Sequence, residues 1–171
     1  MGKIILDGAI VDDQWLLLSD EEAAALPDLQ EAPRLIVSLK TWQAKREEIL
    51  AGGGQLGLLL EGTDEPEAIA AEVSLFEVIA INFAKFTDGR GYSLGRLLRE
   101  RYGFRKELRA VGDVLQDQLF YLKRSGFNAF AIRADKNIDV ALKSLNDFSE
   151  TYQGAWDQPL PLFKRRNAAG A

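Results

Sequence analysis

The chain has 171 residues and a net charge of −5, and it contains neither cysteine nor histidine. The missing residue types exclude disulfides, thiolate and Ser-His-Asp catalysis, and zinc or iron–sulfur centres held by cysteine or histidine. An acidic chain is also a poor candidate for nucleic-acid binding, which needs a concentrated basic face. We predict no cofactor and no metal, although carboxylates alone can hold a hard cation.

The length and the 47% apolar share suit one soluble domain with a sizeable core. No apolar run approaches the roughly 20 residues that span a bilayer. The first residues also lack the apolar segment and cleavage site of a signal peptide. We therefore expect a cytoplasmic protein that contacts no membrane.

Residues 1–33 predict a hairpin and a linker packed on the main domain. Two short apolar runs, at 4–6 and 10–11, flank Asp7-Gly8, a dipeptide typical of two-residue hairpin turns. A segment rich in Glu and Ala follows, with two prolines that indicate a linker.

From residue 34 the pattern alternates between apolar strands and amphipathic helices. About five strand–helix units in succession predict an α/β domain over residues 34–155, with a mainly parallel sheet and helices on both faces. A partial (β/α) barrel built from the same units is the alternative. Residues 156–171 are expected to form a C-terminal tail.

The central unit, residues 78–103, predicts a ligand site. An apolar strand leads into a glycine-containing turn, and leucines at helical spacing follow. In open α/β folds the turn after a strand is where ligands bind, and a helix N-terminus suits an anion. Glycines also allow a ligand to approach the backbone closely. The predicted anion-binding residues are Lys85, Thr87, Asp88, Gly89, Arg90, Gly91, Tyr92 and Ser93.

This turn also has a structural interpretation. Asp88 and Ser93 would cap the helix, and Arg90 would pair with a carboxylate. The glycines do not have the dinucleotide-binding spacing, so they indicate no particular nucleotide.

Polar residues follow the predicted third to fifth strands, whose ends should share one edge of a parallel sheet. Asp88 and Asp113 would form a carboxylate pair for proton transfer or Mg²⁺, while a helix cap is the alternative for Asp113. The whole set is Asn82, Asp88, Asp113, Arg133 and Asp135.

A basic surface is predicted on the helix after the turn and the strand that follows. On an acidic chain, such a patch would steer the approach of an acidic protein. The predicted partner face comprises Arg96, Arg99, Arg109, Asp113 and Gln118. The alternative is a solvated face whose arginines pair with Glu100 and Glu107.

Two sequence blocks carry a family resemblance. FTDGRGYSLGRLLRERYGF, followed by ELRAVGDVLQDQLFYLKRSGFNAF, resembles a bacterial family catalogued as domain of unknown function 934. The resemblance covers roughly residues 30–165, and the usual proline of the family is replaced by Ala84. The resemblance implies a genomic setting, because members of the family look like proteins that are encoded beside assimilatory sulfite reductase.

Sulfite reduction uses haem and iron–sulfur centres, which are commonly held by the cysteine that this chain lacks. We therefore predict an accessory protein of sulfur assimilation that binds sulfite reductase or its electron donor. The alternative is a small-molecule enzyme or sensor that binds an anion at the Asp88–Ser93 turn. A homodimer through a sheet edge or helix face is a third hypothesis.

Overall fold

The computed structural model describes residues 2–25, 34–85, 87–145, 151, 153–162 and 164–165. The strands are β1 (Lys3–Leu6), β2 (Ala9–Asp12), β3 (Leu16–Leu17), β4 (Arg34–Ser38), β5 (Gln55–Glu61), β6 (Val78–Phe83), β7 (Glu107–Gly112) and β8 (Ala129–Phe130). The α-helices are α1 (Asp20–Ala25), α2 (Leu39–Ala51), α3 (Arg90–Glu100), α4 (Leu119–Arg124) and α5 (Ile138–Ser144). Short 3₁₀ helices span Pro66–Ile69, Val73–Leu75 and Gln116–Gln118.

All eight strands belong to one sheet, in the order β2-β1-β8-β7-β6-β5-β4-β3. From β3 to β8 the strands neighbour one another in chain order and run parallel. Right-handed crossovers between such neighbours carry the connecting helices, α1 to α4, to the same side of the sheet. The sheet therefore curls into a half-barrel with the helices outside.

The prediction of about five strands with helices on both faces is wrong in both respects. The main core joins alternate strand residues to the helices, through side chains such as Leu58, Ile79 and Leu98. The smaller cluster on the concave face contains strand residues only: Ile36, Val78, Ala80 and Val111. The partial (β/α) barrel, our alternative, describes this sheet.

The N-terminal hairpin is confirmed, and it extends the sheet. Asp7 and Gly8 both have positive φ, 49° and 79°, as the favoured two-residue hairpin turn requires. β1 pairs antiparallel with β2 on one side and with β8 on the other. The predicted helical turn and linker at 19–33 begins with α1, and its residues 26–33 lie outside the described residues. Among those that are described, no helix is long and apolar enough to cross a membrane.

Helix α3 lies close to the sheet because two of its residues are glycines. A Cβ added at Gly91 would lie 2.6 Å from Cζ of Phe83, and one at Gly95 would lie 2.4 Å from Cε2 of Phe127. The two aromatic rings are buried and pack against each other, with 5.9 Å between centroids. Any side chain at either glycine would push the helix away from this aromatic layer.

The variant Gly95→Ala should therefore lower the free energy of unfolding by about 1–3 kcal/mol, the usual cost of overpacking a core. Urea denaturation measures the change. Gly89→Ala is the control, because a Cβ at Gly89 meets nothing within 4 Å. Equal losses in the two variants would contradict the close packing of α3.

Candidate functional site

The carboxyl ends of the strands bring polar residues to one edge, as expected for parallel strands. Arg133, after β8, donates from Nη1 to Asp113, after β7, at 2.8 Å, and from Nε and Nη2 to Asp135 at 2.9 Å each. Asn82 donates from Nδ2 to both carboxylate oxygens of Glu61 at 3.0 Å. Within the residues that the structure describes, no group of three carboxylates is placed to hold a metal ion.

Asp88 and Arg90 bind each other at the same edge. Oδ1 of Asp88 accepts from the backbone N–H and from Nε of Arg90, at 3.1 and 2.9 Å, and Oδ2 accepts from Nη2 at 2.7 Å. These bonds from Arg90 lower the pKa of Asp88 to about 2. A carboxylate with so low a pKa is a weak base, and a weak base transfers protons poorly near neutral pH.

The other residues of the predicted anion site divide between solvent and core. Lys85, Thr87 and Ser93 are exposed. Gly89 is the N-cap of α3 with φ at −79°, and neither it nor Gly91 has positive φ. Gly91 thus serves packing against the sheet. Tyr92 is half-buried, and burial raises the pKa of its hydroxyl.

The orientation of α3 on the sheet exposes one residue of the predicted partner face and buries another. Arg96 is exposed and donates from Nε to Glu100 at 2.8 Å. Arg99 is only 4% exposed. Its guanidinium donates to the backbone oxygens of Gly126, Phe104 and Lys106 at 2.8 Å and to Oδ1 of Asn128 at 3.0 Å. Arg99 therefore connects the end of α3 to two neighbouring segments.

Burial, with the nearby charge of Arg105 as a second cause, lowers the pKa of Arg99 to about 10. The side chain is still charged at neutral pH, and its charge is satisfied mainly by carbonyl dipoles. Such a buried cation holds local structure and is out of reach of a protein partner.

The remaining three residues of the predicted face lie elsewhere. Asp113 is at the carboxyl edge of the sheet, paired with Arg133. Gln118 is buried, and its Oε1 accepts from the backbone N–H of Leu115 at 2.9 Å. Arg109 projects from β7 into the concave face. The five residues therefore do not form one surface.

The concave face contains a cavity of about 380 Å³ near the amino ends of the parallel strands. The loop between β2 and β3 forms one side of this cavity, through residues that include Asp13 and Trp15. No pattern in the sequence predicts this cavity, since its residues come from strands and loops far apart in the chain. The only sequence signal was Arg109, a charged residue within an apolar strand.

Arg109 is the central polar group of the cavity and is 2% exposed. Its Nη1 donates to both oxygens of Asp13 at 3.0 and 2.9 Å, and its Nε donates to Oε1 of Glu107 at 2.7 Å. Nη2 is buried without a hydrogen-bond partner among the described residues. Burial raises the pKa of Glu107, and the charge of Arg109 opposes this rise.

A comparison with protein families gives one result that bears on this chain. The model of a family described as "Bacterial protein of unknown function (DUF934)" matches residues 57–163, more than half of the chain. No curated protein matches. The matched range includes Asp88, Arg90 and Arg109, whereas Asp13 and Trp15 precede it.

The variant Arg90→Ala should raise the pKa of Asp88 from about 2 toward its ordinary value of 3.8, because the lowering comes mainly from hydrogen bonds donated by Arg90. An NMR titration of the Asp88 carboxyl carbon measures the pKa. Arg96→Ala is the control and should leave it unchanged. If the pKa of Asp88 stays near 2 in Arg90→Ala, a group other than Arg90 lowers it.

The variant Arg99→Met should lower the free energy of unfolding by about 3 kcal/mol or more, since it leaves several buried acceptors without a donor. Arg96→Met, on the exposed side of the same helix, should change it by no more than about 0.5 kcal/mol. Denaturant unfolding of both variants checks the contrast. Similar small effects would mean that Arg99 is not structural.

Proposed function

This chain belongs to the bacterial DUF934 family, and on that premise we propose that it is an accessory protein of assimilatory sulfite reduction. It acts by binding sulfite reductase or the electron donor of that enzyme. The link to sulfur assimilation comes from the family resemblance, and the arrangement of charges favours binding over catalysis.

The observation that supports binding is the pairing of charges at the carboxyl edge, where α/β enzymes usually place their catalytic groups. Asp88 is held by Arg90, and Arg133 is held between Asp113 and Asp135. A general base needs an accessible lone pair and a pKa near the working pH. The pKa of Asp88 is far below that range. The chain also has no cysteine with which to hold the centres that reduce sulfite.

The proposed partner surface is the outer side of α3 together with the C-cap residue of that helix, Arg101. Arg96 and Arg101 expose 60% and 65% of their side chains and pair with Glu100 and Glu67 at 2.8 and 3.5 Å. Exposed pairs of this kind contribute little free energy, so the carboxylates of a partner can replace them. Long-range attraction to the arginines would speed association with an acidic surface.

Charge reversal on this surface tests the proposal. The double variant Arg96→Glu/Arg101→Glu should bind purified sulfite reductase, or its electron donor, about ten-fold more weakly at low salt. The difference should shrink as salt screens the charges. Surface plasmon resonance at two ionic strengths measures both effects.

The matched control is Lys3→Glu/Lys143→Glu, which changes the net charge equally but lies on β1 and α5. It should bind as the wild type does. Equal weakening in both double variants would mean that net charge alone matters. No binding of the wild type to either protein at low salt would contradict the accessory role.

A small anion at the Asp88–Ser93 turn is the competing proposal. Because Arg90 already donates three hydrogen bonds to Asp88, sulfite would have to displace that carboxylate. A titration with sulfite that moves the amide resonances of residues 87–93, in a protein that binds neither reductase nor donor, would favour this competitor.

A further inference from the structure

The cavity on the concave face contains more carboxylates than guanidiniums. Its charged lining residues are Asp12, Asp13, Glu77, Glu107, Arg34 and Arg109. Arg34 donates to the amide oxygens of Gln14 and Gln55, so it neutralises none of these acids directly. Lys106 pairs with Glu77 at 2.7 Å. The remaining excess of negative charge in a concave site attracts small cations and repels anions.

Glu107 is the carboxylate whose partners are incomplete. It shares the single guanidinium of Arg109 with Asp13, and only Oε1 receives a hydrogen bond. In the described part of the chain no donor reaches Oε2. The side chain lines the cavity and is 14% exposed, so a ligand in the cavity can reach it. A ligand ammonium would supply both a donor and the opposite charge.

Arg109 has a donor nitrogen without an acceptor. Its side chain is 3% exposed, and Nη2 has no acceptor within the described ranges. A buried donor on a charged group is costly to leave unpaired. Nη2 is out of contact with solvent, so the guanidinium or its neighbours must shift before a ligand oxygen can accept from it.

The uncharged lining of the cavity is mainly apolar, with Gln14 and Gln55 as its polar members, and the cavity is small. Ile4, Leu6, Val11, Trp15 and Val78 form its apolar wall. The volume of about 380 Å³ is near the lower end of the roughly 300–1,000 Å³ typical of ligand pockets. A short aliphatic chain suits these dimensions, and the indole of Trp15 offers a face for it.

We propose that this cavity binds a small primary amine with an oxygen acceptor beside the amino group and a short apolar chain, of the amino alcohol or amino acid class. The ammonium bonds to Glu107, the oxygen accepts from Arg109, and the chain packs on Trp15. This site lies inside the half-barrel and does not depend on the proposed partner surface on α3.

Five matched probes test the chemistry of the ligand by isothermal titration calorimetry: leucinol, leucine, 3-methylbutylamine, 4-methylpentanoate and sulfate. Leucinol and leucine, which carry both an amino group and an oxygen acceptor, should bind. 3-Methylbutylamine, which lacks the oxygen-bearing group, should bind roughly 3- to 10-fold more weakly. The probes without an amine should not bind. Tighter binding of 4-methylpentanoate or sulfate, or no binding of any amine up to about 10 mM, would overturn the proposal.

The variant Glu107→Gln removes the charge but keeps the shape and an acceptor for Nε of Arg109. It should weaken leucinol binding by about ten-fold or more. Glu47→Gln is the matched control, since Glu47 is exposed on α2, and it should bind leucinol as the wild type does. Unchanged affinity in Glu107→Gln would refute the assigned role.

Thermal unfolding checks that Glu107→Gln is folded. If it is not, the indole N–H resonance of Trp15 in the wild type decides the matter. Leucinol should shift this resonance and sulfate should not. The absence of a shift with leucinol, or the same shift with sulfate, would contradict the proposed site.

Discussion

A guanidinium charge in the middle of the sheet is the constraint on which this half-barrel depends. Arg109 lies inside β7 and is almost completely buried, and a buried charge is tolerated only when opposite charge and hydrogen bonds accompany it. Glu107 supplies one carboxylate from the same strand. Asp13 supplies the other, although it lies 96 residues away in the chain. The loop after β2 must therefore reach the sheet at Arg109, and Trp15 arrives with it.

The two faces of the half-barrel sheet carry different kinds of side chain. Because the parallel strands β3 to β8 follow one another in the chain, the crossovers between them lie on the convex side, whereas the loop between β2 and β3 lies at the concave face. There the helices bury the large apolar side chains, and Gly91 and Gly95 allow α3 to touch the aromatic layer. The concave side has only a small apolar cluster. Charged side chains are therefore accommodated on that side, where no helix of the described segments covers them.

The two edges of the sheet differ in how their charges are satisfied. At the carboxyl edge, carboxylates and arginines from adjacent loops pair with each other, and the low pKa of Asp88 is one result. Near the amino edge, two carboxylates share Arg109, and one of its nitrogens has no partner in the described chain. We therefore propose that a small molecule is recognised inside the half-barrel and a protein on the outer side of α3. A protein partner and a small ligand would then not compete.

Local chemistry in the sequence determined the hairpin, the apolar strands and the family. Asp7-Gly8 specified a turn with two positive φ angles, the alternation of apolar runs and helices indicated a parallel sheet, and two blocks of residues carried the resemblance. These features depend on neighbours within a few residues. The order of the strands and the face that the helices cover were not predictable. Period-two alternation assigns side chains to two faces, but it does not say which strands pair or which face is covered.

Only the tertiary structure decided which charges are buried. Arg96 and Arg99 are three residues apart in one helix, yet the rotation of α3 against the sheet exposes the first and buries the second. Asp13 and Arg109 meet only once the hairpin joins β8 and the sheet curls. Burial depends on neighbours that are distant in the chain, so residue type and spacing could identify charged candidates but could not say which would be satisfied within the fold.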